Sequence, residues 1–288
     1  MAFASSGDLA IYYDTFGSSS DPAVLLVSGL GSQCIGYQDE YCAMIAAHGY
    51  HVIRYDNRDV GLSSRCDQVE LRAQSGSGPP DSGPAPYTLS DMARDGLAVL
   101  DELGIERAHV SGASMGGMIA QTMAIEHSER LRTLTSVMST TGDPDVGQST
   151  PEAQHLLLAP PPSDLEGFVA LQLQAARTWG SPDYFDSVRM RSEAVKAFER
   201  TPEPAGFGRQ LKAIRLSGSR SEALASLDVP TLVIHGSADT LIASSGGERT
   251  AEVIPNSRFV LIEGMGHDRP PEFWSQLIGL QASHFEGN

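Results

Sequence analysis

Residues 112–116, with the sequence GASMG, place a serine between two glycines in the pattern G-x-S-x-G. A short predicted strand, 108–111, precedes this pattern, and a segment with helical periodicity, 115–127, follows it. A nucleophile on such a tight strand-to-helix turn needs small neighbours, and the turn exposes its hydroxyl at the end of a sheet. The helix N-terminus also favours the negative charge that develops there. The pattern therefore predicts Ser114 as a nucleophile.

A base must accompany this serine, because a serine hydroxyl is a poor nucleophile until its proton is removed. Among eight histidines, His267 follows the last predicted strand in the sequence EGMGH, residues 263–267. The two glycines give a loop that can carry the imidazole back over the sheet edge. We predict His267 as the general base. His235, which ends a strand, is the alternative, although its position favours packing.

An acid is needed to orient the histidine and to stabilise its charged form. Asp239 stands in the sequence HGSAD, shortly after the predicted strand 231–234, in a loop at the same end of the sheet. The chain order is then nucleophile, acid, histidine. We predict Asp239 as the acid. Asp143 and Asp145, which follow the predicted strand 131–137, are the alternatives.

An oxyanion hole needs two backbone N–H groups aimed at one point. One is expected from Met115, the residue after the nucleophile. The other is expected from the loop SGLGS, residues 28–32, where glycines let the backbone approach a substrate closely. We predict the Leu30 N–H as this donor, with Gly31 as the alternative.

Two further sets of residues invite a functional interpretation. Asp and Arg alternate after a strand within residues 55–63, and we interpret this turn as an ion-paired support for the active-site end of the sheet. Trp179, Phe168 and Phe185 could line a substrate pocket, but aromatic residues at helical spacing are also typical of a core.

The segments that carry these residues alternate between strand and helix. The predicted strands are 8–16, 23–27, 51–55, 108–111, 131–137, 231–235 and 259–262. The predicted helices of this alternating part are 39–48, 91–103 with Ser90 as N-cap, 115–127 and 271–285. Such alternation predicts the α/β class, with a mostly parallel central sheet flanked by helices.

The alternation stops between residues 141 and 226. That stretch has helix-like segments without a strong strand, at 165–179, 182–198 and 204–215. We interpret 141–226 as a helical cap inserted into the α/β core, whose two parts are then 1–140 and 227–288. Residues 72–86, rich in Ser, Gly and Pro, are interpreted as a surface loop.

Composition and charge limit the partners. The chain has 288 residues, 41% hydrophobic and 19% charged, which allows a large core to be buried. The formal net charge of −16 disfavours nucleic acid and anionic membranes as partners. No signal peptide and no apolar run of ~18 residues is visible, which predicts a cytoplasmic enzyme. The three cysteines show no metal-type spacing, and a disulfide framework is not expected.

These features together resemble the α/β-hydrolase superfamily, and the resemblance covers nearly the whole chain. They are the serine turn, the loop 28–31, the turn 56–63, the Asp239 loop and the sequence GMGH at 264–267. Three further runs look most like enzymes of the aclacinomycin methylesterase type: VIRYD at 52–56, RAHV at 107–110 and EGMGH at 263–267. That resemblance implies hydrolysis of a carboxylic methyl ester, such as one on an anthracycline.

Departures from the superfamily pattern limit which member activities can be expected of this chain. Ser28 and Gly29 stand where members often have His-Gly, which leaves the backbone donors intact. The nucleophile is a serine, whereas epoxide hydrolases and haloalkane dehalogenases use aspartate. Ala113 stands where proline iminopeptidase relatives usually carry Trp, which disfavours a peptidase.

The expected reaction is cleavage of a small-molecule carboxylic ester through an acyl-enzyme, without a metal or an organic cofactor. A perhydrolase or haloperoxidase-like activity, or a lactonase, could use the same triad and is the alternative. A ligand receptor on a hydrolase fold is an alternative of another class, and the three intact triad positions argue against it. No sequence pattern indicates an oligomeric state.

Overall fold

A computed structural model describes residues 1–66, 85–160, 162–201 and 206–288. Within them the strands are β1 Ala2–Ser6, β2 Leu9–Phe16, β3 Ala23–Val27, β4 His51–Tyr55, β5 Ala108–Ala113, β6 Leu131–Val137, β7 Thr231–Gly236 and β8 Arg258–Ile262. They form one sheet in the order β1-β2-β4-β3-β5-β6-β7-β8. β1 and β2 pair antiparallel, as do β2 and β4, and the pairs from β4 to β8 are parallel.

Helices surround this sheet. In the described part of the chain they are α1 Asp39–Ala46, α2 Leu89–Glu102, α3 Met115–Glu126, α4 Pro151–Leu157, α5 Leu165–Trp179, α6 Ser187–Arg200, α7 Phe207–Ser217, α8 Ser221–Leu224, α9 Ser245–Val253 and α10 Pro271–Glu286. Helices α4 to α8 all fall between β6 and β7, and we call them the helical insertion. The predicted α/β class, with a mostly parallel sheet, is confirmed.

Both faces of the sheet are covered, which explains the continuous apolar runs of its central strands. In β3, Leu25 and Val27 pack in one cluster with buried residues of α2 and α3. Val24 and Leu26 point the other way and pack with buried residues of α1 and α10. The carboxyl ends of the parallel strands are thereby held in one rigid row, from which the candidate site residues follow.

The start of α2 corrects one prediction. Thr88, not Ser90, is the N-cap: its Oγ1 accepts the Asp91 N–H at 3.2 Å. The Asp91 carboxylate in turn accepts the Thr88 N–H at 2.8 Å. This reciprocal capping box satisfies two backbone donors, whereas Ser90 could satisfy only one.

The predicted helix 182–198 is also corrected. A short 3₁₀ helix, Pro182–Tyr184, comes first, and α6 begins only at Ser187. Asp186 ends the intervening extended segment, because its carboxylate accepts the N–H groups of Val188 and Arg189 at 3.0 Å each.

Strand β1 was not predicted. Its register with β2 pairs Ser6 with Leu9, so Gly7 and Asp8 form a two-residue hairpin turn in which Gly7 has a φ of 58°. A glycine and an aspartate between two alternating runs were the available signal. The predicted loop 72–86 lies almost entirely outside the described residues, as does the start of the predicted helix 204–215.

Candidate active site

Ser114 occupies a strained backbone conformation at the junction of β5 and α3. Its φ of 57° and ψ of −123° lie where non-glycine residues are rare. A Cβ on Gly112 would lie 2.0 Å from the Gly116 carbonyl oxygen. A Cβ on Gly116 would lie equally close, 2.0 Å, to the carbonyl oxygen of Val27. Both glycines are therefore required, and the tight turn leaves Ser114 partly exposed.

Hydrogen bonds hold the backbone of Ser114 on both sides. Its N–H donates to the Val137 carbonyl at 3.0 Å, and its carbonyl accepts from the Ser139 hydroxyl at 2.8 Å. Its Oγ makes no hydrogen bond to any residue that the structure describes. A Cβ on Gly29 would lie 3.8 Å from this Oγ, so the hydroxyl stands beside the loop that follows β3.

His267 follows β8 in a loop that is held in place by hydrogen bonds. Its N–H donates to the Trp179 carbonyl at 2.6 Å, and its Nδ1 lies 2.7 Å from Asp239 Oδ2. The His267 side chain is 8% exposed and that of Asp239 is 0% exposed, so the contact is shielded from water. An imidazole held through Nδ1 keeps Nε2 for proton transfer.

Asp239 is kept as a carboxylate by its neighbours. Its Oδ1 accepts the N–H groups of Leu241 and Ile242 at 2.9 Å each. Burial by itself raises the pKa of Asp239, but electrostatic attraction to His267 and the hydrogen bonds outweigh it and hold the pKa below its usual range. An ionised carboxylate places the imidazole proton on Nδ1.

His235, the alternative base, lies behind this carboxylate. Its Nε2 is 2.8 Å from the Ile242 carbonyl oxygen and 3.3 Å from Asp239 Oδ2, and its side chain is fully buried. The contact with Ile242 steadies the turn that donates to Asp239. This placement favours a supporting role for His235 and leaves His267 as the candidate base.

Asp143 and Asp145, the alternative acids, form ion pairs with an arginine and not with His267. Their carboxylates lie 2.8 and 3.1 Å from Arg249. Asp143 also accepts the hydroxyls of Ser219 and Ser221, and these hydrogen bonds, the one from Ser219 above all, lower the pKa of Asp143 to about 2. The contact with His267 therefore favours Asp239 as the acid.

The two predicted oxyanion donors are unengaged. Within the described part of the chain, neither the Leu30 N–H nor the Met115 N–H has a hydrogen-bond partner. The Gly31 N–H, by contrast, donates to Gln210 Oε1 at 2.9 Å and is not free for a substrate. The loop after β3 therefore offers Leu30, and the alternative donor is already used.

Acidic residues of the turn after β4 join the core to the helical insertion. Asp56 Oδ2 lies 2.7 Å from Arg200 Nη2, and the Asp59 carboxylate accepts hydrogen bonds from Arg209 at 2.8 and 2.9 Å. The predicted ion pairing of this turn is observed, and its role in supporting the active-site end of the sheet stays a prediction. Both arginines were missed, because Arg209 lies 150 residues after Asp59 and no local pattern pairs them.

A second junction joins the insertion to the His267 loop. Ser181 Oγ donates to Asp268 Oδ1 at 2.6 Å and accepts the Gly266 N–H at 2.9 Å. Burial raises the pKa of Asp268. Together with the Trp179 carbonyl, these contacts fix the loop on which the candidate base stands. The sequence carries no signal for Ser181 or Asp268.

The three predicted pocket aromatics lie in or beside the insertion helices. Phe168 packs against Phe198 with ring centroids 5.5 Å apart. The Arg177 guanidinium lies 4.4 Å above the centroid of the Phe185 ring. Trp179 contacts the site through its backbone carbonyl, which accepts the His267 N–H. A role in lining a pocket stays a prediction for all three.

Within the residues described, no three His, Cys, Asp or Glu side chains are grouped so that they could hold a metal ion. No helix in the same residues combines the length and apolar character needed to cross a membrane.

The α/β-hydrolase fold family matches residues 22–269, which is most of the chain. The chain belongs to the α/β-hydrolase fold family. The resemblance predicted from the serine turn, the loop after β3 and the histidine loop is thus confirmed. The elements that position the site in this α/β-hydrolase are those expected of its family.

Relatives of this α/β-hydrolase extend over nearly its whole length. Rhodomycin D methylesterase DauP of Streptomyces sp. (strain C5) is 29% identical, over 96% of this chain and 95% of its own. The putative carbamate hydrolase RutD of Azorhizobium caulinodans is also 29% identical, over 97% of this chain and 98% of its own. The predicted likeness to methylesterases is confirmed.

A solved structure, the enol-lactonase from Burkholderia xenovorans LB400, has the same fold. Its TM-score is 0.76 at 22% sequence identity, and the match covers 100% of both chains. The overall fold is therefore shared with this solved structure.

Proposed function

We propose that this α/β-hydrolase is a serine esterase that cleaves a carboxylic ester through an acyl-enzyme. The observation that carries the proposal is the 2.7 Å contact between His267 Nδ1 and the buried Asp239 carboxylate. This contact lies at the carboxyl end of the parallel strands, where β5 also ends, immediately before Ser114. An oriented imidazole, together with a serine on a strained turn, is the arrangement that acyl transfer needs.

In the proposed reaction, His267 Nε2 takes the hydroxyl proton as Ser114 Oγ attacks the ester carbonyl carbon. The Leu30 and Met115 N–H groups donate to the oxyanion, and losing one such donor costs about 3 kcal/mol. His267 then protonates the leaving alcohol as the C–O bond breaks. Water attacks the acyl-enzyme by the same route and releases the acid, while Asp239 stays ionised throughout.

We further propose a methyl ester of a bulky, polyketide-like acid as the substrate class. A methylesterase is among the relatives that match nearly the whole chain. A methyl group offers little surface for recognition, so selection would come from the acid part. We assign that selection to a cap, residues 141–226, which is supported by its contacts with the loops after β4 and β8.

The test compares wild type with Ser114→Ala on p-nitrophenyl esters of increasing acyl length and on methyl esters of polycyclic acids. We expect turnover by wild type, and a fall by a factor of about 10⁴ or more for Ser114→Ala. Ser90→Ala, which changes a serine hydroxyl on α2 that donates to Glu126, should keep most of the activity. Full activity of pure Ser114→Ala would refute the assignment of Ser114 as the nucleophile. Turnover of carbamates without any carboxylic ester would refute the reaction class, and turnover of lactones alone would refute an open-chain ester as the substrate.

A further inference from the structure

Gln210 joins the loop after β3 to the turn after β4. It lies on α7 and is fully buried. Its Oε1 accepts the Gly31 N–H at 2.9 Å, and its Nε2 donates to the Arg58 carbonyl at 2.8 Å. Because both ends of the amide are used, the side chain has one orientation in which it satisfies both partners.

The loop that Gln210 contacts has the geometry of a type II β-turn. The Ser32 N–H donates to the Gly29 carbonyl at 3.1 Å, so Leu30 and Gly31 are the two central residues. Gly31 has a φ of 66°, and a type II turn requires a positive φ at this third position. Leu30, the proposed oxyanion donor, is the second residue of the turn.

A type I turn and a type II turn differ in the orientation of their central peptide. Here that peptide consists of the Leu30 carbonyl and the Gly31 N–H, so the hydrogen bond to Gln210 selects the type II orientation. The Phe207 ring packs on the same loop, since a Cβ on Gly31 would lie 2.9 Å from its Cδ2. Phe207 and Gln210 are three residues apart on α7 and share one face of the helix.

We propose that Gln210 is a positioning residue of the oxyanion hole. By holding the Gly31 N–H it fixes the central peptide of the turn and leaves the Leu30 N–H free for the substrate oxyanion. This inference rests on the proposed function, in which Leu30 is a donor. Because Gln210 belongs to the helical insertion, docking of the insertion and completion of the oxyanion hole are coupled.

The test is the apolar variant of similar size, Gln210→Met, in the full-length protein. Its matched control is Gln281→Met on α10. Gln281 is also buried, and its amide is likewise used at both ends, by the Ser111 hydroxyl at 2.7 Å and the Tyr41 hydroxyl at 2.9 Å. Gln210→Met loses two buried hydrogen bonds, and Gln281→Met loses three, the third being to the Leu277 carbonyl at 3.2 Å, so both should lose thermal stability. Only Gln210→Met should alter the oxyanion hole.

On an ester that wild type hydrolyses, kcat of Gln210→Met should fall by a factor of about 10 to 100, and KM should change by less than about threefold. Affinity for a trifluoromethyl ketone, whose adduct with the nucleophile carries an oxyanion, should fall by the same factor as kcat. Gln281→Met should retain both values. Unchanged kcat and inhibitor affinity in folded Gln210→Met would overturn the proposal.

Hydrogen exchange at the Gly31 amide tests the contact without an activity assay. We expect slow exchange in wild type and fast exchange in Gln210→Met. Fast exchange in wild type would overturn the proposal even if the variant did not fold. A wild type that neither hydrolyses esters nor reacts with a fluorophosphonate would overturn the proposed function and this inference together. An active wild type with an unaffected Gln210→Met overturns the positioning role alone.

Discussion

The contacts that hold the α/β core together differ in kind from many of those that hold the helical insertion in place. Helix α3 of the core buries ten of its twelve residues, whereas α5 of the insertion buries only two of its fifteen, Val169 and Ala175. The core depends on apolar burial, worth about 25 cal/mol per Å². The insertion packs Ala213 and Leu224 into the same core cluster, but it is also joined to the core through buried polar side chains, among them Arg200, Arg209 and Ser181.

This difference separates the stability of the core from the placement of the insertion. Apolar contacts are non-directional, so a packed core tolerates small shifts of its elements without losing its driving force. A buried hydrogen bond or ion pair weakens steeply as its distance or angle changes. Core packing, together with the hydrogen bonds to its backbone, therefore positions Ser114, while the polar contacts help to fix where the insertion lies.

The largest effect of a single change is expected at the triad, which the core positions. Asp239→Asn keeps an acceptor for the Leu241 and Ile242 N–H groups but presents an amide NH₂ to His267 Nδ1. The imidazole would then adopt the wrong tautomer. We expect kcat to fall by a factor of about 10³ to 10⁴ with the protein still folded, as measured by ester hydrolysis and Tm.

Asp143→Asn is the matched control for that change. Its carboxylate pairs with Arg249 on α9 and makes no contact with His267, so kcat should stay near that of wild type. A large loss in Asp143→Asn together with an active Asp239→Asn would move the acid to the loop after β6.

An intermediate effect is expected at the junction between core and insertion. Asp56→Asn leaves the Arg200 guanidinium, whose side chain is only 15% exposed, facing an uncharged amide. Removing one partner of a buried ion pair costs about 3 kcal/mol or more. We expect a loss of about 3 kcal/mol in the free energy of unfolding in urea. We also expect a raised KM, because the insertion loses its fixed position.

Glu166→Gln is the control within the insertion itself. It breaks the pair with Arg191, in which the side chains are 71% and 50% exposed. Such surface pairs contribute about 0.5 kcal/mol or less. Equal losses in Asp56→Asn and Glu166→Gln would contradict the view that the buried polar junction holds the insertion.

The smallest effect is expected deep in the core, at His109. Its ring centroid lies 4.5 Å from that of Phe285, and burial, aided by the charge of Arg132, lowers the pKa of His109 to about 4. Between pH 6.5 and 4 the unfolded chain binds a proton that the folded chain does not, so stability falls as the pH falls through this window.

His109→Gln provides the measurement for this prediction. Glutamine can keep a hydrogen bond to Thr133 Oγ1, which lies 2.9 Å from His109 Nδ1 in the wild type. Urea unfolding from pH 7 to pH 4 should therefore lose part of its pH dependence in the variant. If the free energy of unfolding depended on pH in the same way in wild type and His109→Gln, groups other than His109 would be responsible for that dependence.

Strands buried on both faces were the most predictable part of the fold. Strands Ala23–Val27, His51–Tyr55 and Leu131–Val137 begin and end at the predicted residues. Their long buried runs are visible in any short window of the sequence. The edge strand Ala2–Ser6 has a single fully buried residue, Ala4, and its weaker pattern was missed.

The proposed triad could be predicted because each member stands in a short local pattern after a strand. The residues that join the insertion to the core have no such pattern. Arg200, Arg209 and Gln210 occur in helices that bury few other residues, Ala194 in α6 and Ala213 in α7, and the sequence does not distinguish them from solvent-facing neighbours. Their partners lie more than 140 residues earlier in the chain, so only the folded structure identifies them.

The placement of the polar junctions affects how such an enzyme could diverge. Each junction ends on a loop that also carries, or adjoins, part of the proposed site: the loops after β3, β4 and β8. A chimaera that received its insertion from another family member would need side chains equivalent to Arg200, Arg209 and Gln210. Without them, the host loops would lose their partners. Substrate range should therefore change more readily by point substitutions within the insertion than by its exchange as a block.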